Sequence, residues 1–147
     1  MQQVLILKGR IIVENNTKIE HDALYIASEA VKVLLEKKGR DVTMYYVGET
    51  SSVTDYYVNV SGGSNTQVAA LADEVVYKLG LQGINALRVE GRRANEWLLV
   101  DFGDVIVNVF DRKSREFYDL DRHFSVENKV DIAHLLAEVD KKYDINN

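Results

Sequence analysis

The stretch WLLVDFGDVIVNV, residues 97 to 109, sets nine aliphatic or aromatic residues around two aspartates, a glycine and an asparagine. Two apolar, β-branched runs on either side of a glycine specify a β-hairpin, and one this apolar needs a covered face. With Phe102-Gly103 as the turn, Asp101 pairs with Asp104, Leu99 with Ile106 and Trp97 with Asn108, and paired residues share a face. Leu98, Val100, Val105, Val107 and Val109 then point one way, as an aliphatic surface suited to packing under helices. Trp97, Leu99, Asp101, Asp104, Ile106 and Asn108 point the other way. A longer type II turn with Gly103 at its third position is the alternative, and a one-residue slip of either strand reverses half of the assignment.

The second face admits two readings. An aromatic and two aliphatics rimmed by acids and an amide have the composition of a protein contact patch. Aspartates flanking a glycine also serve as turn residues, however, and a strand tryptophan is commonly core.

Upstream of the hairpin, HDALYIASEAVKVLLEKKG puts Leu24, Ala27, Val31, Leu34 and Leu35 on one helical face, with Asp22 to cap the start and Gly39 the end. DVTMYYV (41–47) and DYYVNVS (55–61) read as strands. The segment SGGSNTQVAALADEVVYKLG then has capping-box spacing at Ser64 and Gln67, followed by a stripe of Val68, Leu71, Ala72, Val75 and Leu79 that ends at Gly80. NALRVEG (85–91) is a short strand. Downstream, KSREFYDLDRHF aligns Phe117, Leu120 and Phe124 on one helical face, and VDIAHLLAEVDKKY aligns Ile132, Leu135, Leu136 and Val139. The order α-β-β-α-β-β-β-α-α describes one α/β (α+β) unit with five strands and flanking helices. Residues 1–20 precede it as an extension whose VLILKGRIIV forms an extra strand or hairpin, and residues 125–147 follow it as an amphipathic helix and tail.

Composition narrows the chemistry. The chain has no cysteine, so it has neither a disulfide framework nor a thiolate metal site, and a reducing cytoplasm is its expected setting. Its apolar runs are too short for a membrane span. The net charge of −5 opposes binding to free nucleic acid. Between Glu96 and Asp121 seven acids face three bases, which carries most of that excess and makes a basic partner the electrostatic complement.

No catalytic constellation emerges. His21, His123 and His134 read as helix-cap or helix-surface residues without metal-ligand spacing. The SGGSN turn at a strand-to-helix junction can present backbone N–H groups to a phosphate, but it lacks the lysine of a P-loop and dinucleotide spacing. A nucleotidyltransferase needs two carboxylates at i and i+2 on the strand after that helix, and ALRVE offers only Glu90. Neither a catalytic residue nor a cofactor or metal site is assigned. The enzyme alternative survives only through Asp55 or Glu90 approaching the SGGS turn, and a third reading makes the Trp97 face a homodimer contact.

Taken in order, SSVTDYYVNVSGGSNTQVAALADEV, LRVEGRRANEWLLVDFGDVIVNVF and REFYDLDRHF closely resemble the ribosomal silencing factor family, also called Iojap, over roughly His21 to Phe124. The resemblance implies a nucleotidyltransferase-like fold, with a mixed five-stranded sheet, that lacks the catalytic carboxylates. It also implies a cytoplasmic, ribosome-associated factor that binds the large subunit through its protein fourteen. By blocking small-subunit joining, such a factor represses translation under nutrient limitation. The family segment associated with that contact matches Trp97, Asp101, Gly103 and Asp104. These lie on the face that pairing had already grouped with Leu99, Ile106 and Asn108.

Overall fold

The computed structural model describes residues 4–7, 10–13 and 21–144. Strands β1 (Val4–Leu7) and β2 (Arg10–Val13) pair antiparallel as a two-stranded sheet of their own. The rest of the 1–20 extension and the end of the tail, 145–147, lie outside the described residues.

Helix α1 (Ala23–Glu36) starts where the Asp22 carboxylate accepts the Tyr25 N–H at 2.8 Å, satisfying one of the donors that a helix start leaves open. Its buried stripe is Ala23, Ile26, Ala27, Ala30, Val31 and Leu34, slightly rotated from the expected one: Leu24 is exposed and Leu35 lies on the margin. At its end Lys38, not Gly39, takes the left-handed conformation, with φ 63°. Gly39 answers a different need, because a Cβ there would lie 2.5 Å from Val60 Cγ2.

Strand β3 (Arg40–Tyr46) pairs antiparallel with β4 (Tyr56–Gly62), with a bulge between Arg40 and Thr43 where Asp41 adopts φ 51°. Helix α2 (Asn65–Leu81) is capped by Ser64, whose Oγ accepts the Gln67 N–H at 3.1 Å, and it buries the expected Val68, Leu71, Ala72, Val75 and Leu79. Gly80 lies inside this helix, and the reversal falls at Gly83, with φ 79°. Strands β5 (Arg88–Glu90), β6 (Trp97–Asp101) and β7 (Val105–Asp111) complete a five-stranded sheet ordered β3-β4-β7-β6-β5. Only the central pair, β4 and β7, is parallel.

The hairpin pairs Asp101 with Ile106, Leu99 with Asn108 and Trp97 with Phe110. Both turns expected from sequence are therefore corrected. Gly103-Asp104 is the two-residue loop, closed by Phe102 N–H donating to the Val105 carbonyl at 2.9 Å. Gly103, at φ 90°, supplies the positive φ that such a loop requires at its first position, and phenylalanine is spared it. The register moves by two residues, so every strand side chain keeps its face and Phe110 joins Trp97, while Asp104, expected opposite Asp101, leaves the strand for the loop.

Met44, Val58, Val60, Leu98, Val100, Val105, Val107 and Val109 line one face of the sheet, fully or almost fully buried. Helices α1 and α2 cover it, and α1 packs in turn on α4 (Ala133–Asp144) through Leu135 and Val139. Each such buried aliphatic side chain stabilises the fold by about 1.5–3 kcal/mol. Leu136, expected on the buried stripe of α4, is exposed.

The helix expected over 113–124 is broken. Helix α3 (Arg112–Tyr118) ends at Asp119, a left-handed residue with φ 46°, and a separate 3-10 turn spans Leu120–His123. That break turns Asp121 back toward the sheet. A second 3-10 turn, Val126–Asn128, leads to Lys129, which bridges to Tyr45 and so covers the outer edge of β3.

Candidate protein-docking face

The opposite face of the sheet carries Thr43 and Tyr45 from β3, Tyr57, Asn59 and Ser61 from β4, Ile106, Asn108 and Phe110 from β7, and Trp97, Leu99 and Asp101 from β6. Helix α3, the 3-10 turn after it and Phe124 cover only part of this surface. Phe124 stacks between Tyr45 and Tyr57, at centroid distances of 4.5 and 5.2 Å. Toward the hairpin loop Leu99 and Asp101 remain partly exposed.

The six residues grouped from sequence all lie on or beside this face, yet they have different surroundings. Trp97 is half-buried, its ring tilted against Phe110 at 5.0 Å and Tyr118 at 4.8 Å. Leu99 is half-buried, and Ile106 is nearly closed off by its neighbours. Asn108 is 1% exposed and serves from beneath rather than at the surface. Asp101 is committed within the molecule: Oδ1 accepts the Gly103 N–H at 2.7 Å and Oδ2 receives Arg88 Nε at 3.1 Å. The backbone carbonyl of Asp104 accepts the N–H groups of Asp55 and Tyr56, both at 3.0 Å, and fastens the hairpin loop to the start of β4.

A polar ladder missed at the sequence level crosses the face. Trp97 Nε1 donates to Asn108 Oδ1 at 3.0 Å, Asn108 Nδ2 to Asn59 Oδ1 at 3.0 Å, and Asn59 Nδ2 to Asp121 Oδ1 at 3.3 Å. Thr43 and Tyr45 hydroxyls each donate to the same carboxylate oxygen at 2.9 Å. Arg115 closes the ladder, with Nε 3.1 Å from Asp121 Oδ2, Nη2 3.2 Å from Asp121 Oδ1 and Nη1 3.1 Å from Ser61 Oγ. Burial alone raises the Asp121 carboxyl, but the Arg115 hydrogen bonds and charge, with Tyr45 and Thr43, outweigh it and hold the group below its ordinary value. Tyr45 is pushed up, by burial first and then by its hydrogen bond to Asp121. The parity of DYYVNVS places Asn59 with Tyr57, but only the parallel pairing of β4 with β7 brings it beside Asn108.

Several acids of 96–121 have partners within the molecule. Asp111 caps α3 by accepting the Ser114 N–H, Glu116 pairs with Arg112, Asp119 with Arg122, and Asp101 and Asp121 with arginines as above.

At the SGGS turn the Gly63 N–H has an internal acceptor, Gln67 Oε1, and the Ser64 hydroxyl is occupied by the Gln67 N–H. Gly62 is needed for close packing, since a Cβ there would meet Val68 N and Cγ2 at 3.0 Å. A cleft of about 640 Å³ adjoins the turn, with Arg40, Arg112 and Arg115 facing Asp41, Glu116, Asp119 and Asp121. Asp55 stands before the far end of β4, about 20 Å from the turn at a strand's rise per residue. Glu90 pairs with Arg88 on β5, at the sheet edge. Neither carboxylate reaches the turn. Among the described residues no three histidine, aspartate or glutamate side chains group so as to hold a metal ion, and no helix is long and apolar enough to cross a membrane. His21 stacks on Tyr25, while His123 and His134 are exposed.

Comparison with known proteins gives a consistent result. A family described as "Ribosomal silencing factor during starvation" matches residues 20–146. The ribosomal silencing factor RsfS of Chromobacterium violaceum is 35% identical over 96 residues, covering 65% of this chain and 79% of that protein. The RsfS of Halalkalibacterium halodurans is 34% identical over 108 residues, covering 74% and 92%. A crystal structure of a C. violaceum protein superposes with a TM-score of 0.68 at 33% identity, covering 70% of this chain and 86% of that one.

Proposed function

Since this chain belongs to the ribosomal silencing factor family, we propose that it binds the large ribosomal subunit through its protein fourteen and blocks joining of the small subunit, repressing translation when nutrients are limiting. The observation that carries this reading is the hairpin face: Trp97 and Leu99, beside Ile106 and Asn108, form a half-buried apolar patch next to Asp101 and the loop residue Asp104, at the margin of the surface that α3 covers, where Tyr118 lies against the Trp97 ring. Half-exposed aromatic and aliphatic groups on rigid strands make a desolvated contact centre, and truncating such a centre costs about 2 kcal/mol or more of binding. Ile106 and Asn108 act mainly as support. Asp104, with Asp101 as a locally paired rim charge, favours a basic partner surface.

Inhibition on this reading is steric. One protein occupies a surface that the other subunit needs, so neither turnover nor a cofactor enters. The reaction that tests it is subunit joining followed by light scattering: the purified protein, added to large subunits before small ones, suppresses formation of the joined ribosome in proportion to its occupancy. Undiminished joining at saturating protein contradicts the proposal.

A further inference from the structure

A carboxylate can only accept hydrogen bonds and an indole N–H can only donate one, whereas an asparagine amide does both and can be turned either way. Asp121 and Trp97 therefore sit at the two ends of a chain whose direction their chemistry dictates. Facing Asp121, Asn59 has to offer Nδ2, at 3.3 Å. Its Oδ1 is then left for Asn108 Nδ2 at 3.0 Å, and Asn108 Oδ1 is left for the indole at 3.0 Å. Both amides are sealed from solvent, Asn59 at 0% and Asn108 at 1% exposure, so water cannot substitute for a missing partner. Around Asp121, Arg115, Thr43 and Tyr45 fill the remaining acceptor sites and fix the carboxylate itself.

We propose that Asp121 is a positioning residue for Trp97: through the directed relay Asn59–Asn108 it sets the orientation of the indole on the hairpin face, from within the 3-10 turn and outside the contact surface. The consequence for ribosome binding rests on the docking reading given above, but the relay itself does not. A ribosome-binding defect is thus expected from a residue that touches no partner.

Trp97 is the only tryptophan of the chain, so a 15N-labelled sample gives one indole N–H resonance. Asp121→Ala and Asn59→Ser are expected to shift that resonance and to speed its exchange with solvent several-fold. Tyr45→Phe, which removes a different hydrogen bond to Asp121, leaves it in place. An indole resonance unchanged in position and exchange in Asp121→Ala overturns the proposal. Should that variant fail to fold, Asn59→Ser, which keeps the Arg115–Asp121 pair, carries the same two outcomes. In binding to purified large subunits, Asp121→Ala is expected to lose affinity about tenfold when Trp97 is present and nothing further in a Trp97→Ala background. An equal loss in both backgrounds contradicts action through Trp97. A shifted indole in a protein whose wild type does not bind large subunits supports the relay and rejects the docking reading.

Discussion

Arg115 grips both oxygens of Asp121, with Nε 3.1 Å from Oδ2 and Nη2 3.2 Å from Oδ1, and with side chains only 13% and 24% exposed. This pair joins α3 and the following turn to a sheet whose neighbouring polar groups depend on it. Arg115→Ala removes one partner and leaves a half-buried carboxylate, a loss of about 2 kcal/mol that a denaturant midpoint will record. The same pair makes stability pH-dependent. The folded-state value of Asp121 is depressed, so its contribution is fully present above the unfolded value of about 3.9 and disappears as pH falls through the lower folded value. The stability advantage of wild type over Asp121→Asn should therefore be constant near neutrality and shrink below about pH 4.

Adjacent residues at the end of α1 should respond with opposite signs. Gly39→Ala drives a Cβ to 2.5 Å from Val60 Cγ2 and 3.1 Å from the Leu34 carbonyl, and overpacking of this kind costs about 1–3 kcal/mol. Lys38→Gly relieves a side chain held at φ 63° and should stabilise by about 0.5–1 kcal/mol. Thermal melts of the two variants decide it.

Asp101 illustrates why the choice of substitution matters on the hairpin. Asp101→Ala loses both the Gly103 N–H acceptor and the Arg88 pair, and should destabilise by about 1 kcal/mol before any partner is added. Asp101→Asn keeps an acceptor for Gly103 and should melt close to wild type. A binding defect in the asparagine variant then reports charge alone.

Asn108→Ala strands the Trp97 indole N–H and Asn59 Oδ1 in a dry part of the sheet. The expected cost is about 1–3 kcal/mol in chemical denaturation.

Much of this architecture is legible in the sequence where a period or a cap speaks locally. The stripe of α2 and the caps at Asp22 and Ser64 needed only residues three or four positions apart. The hairpin faces survived a wrong turn because a two-residue register change preserves parity. What escaped depends on neighbours distant in the chain. Nothing in DYYVNVS announces that β4 lies parallel to β7, so Asn59 could not be placed beside Asn108. The apolar spacing of Phe117, Leu120 and Phe124 suggested one continuous helix, but Asp119 breaks it, and Asp121 consequently enters the polar ladder. Charge counting also left out that Asp101 and Asp121 have arginine partners, Arg88 and Arg115, that the fold brings close.

The most direct measurement is co-sedimentation of wild type and Trp97→Ala with purified large subunits, with small subunits as the control and folding of the variant confirmed separately. Wild type is expected to travel with large subunits only, and the folded variant to stay in the supernatant at concentrations where wild type is bound. Wild type remaining in the supernatant contradicts ribosome binding, and a folded Trp97→Ala that binds as tightly as wild type contradicts the hairpin face as the contact.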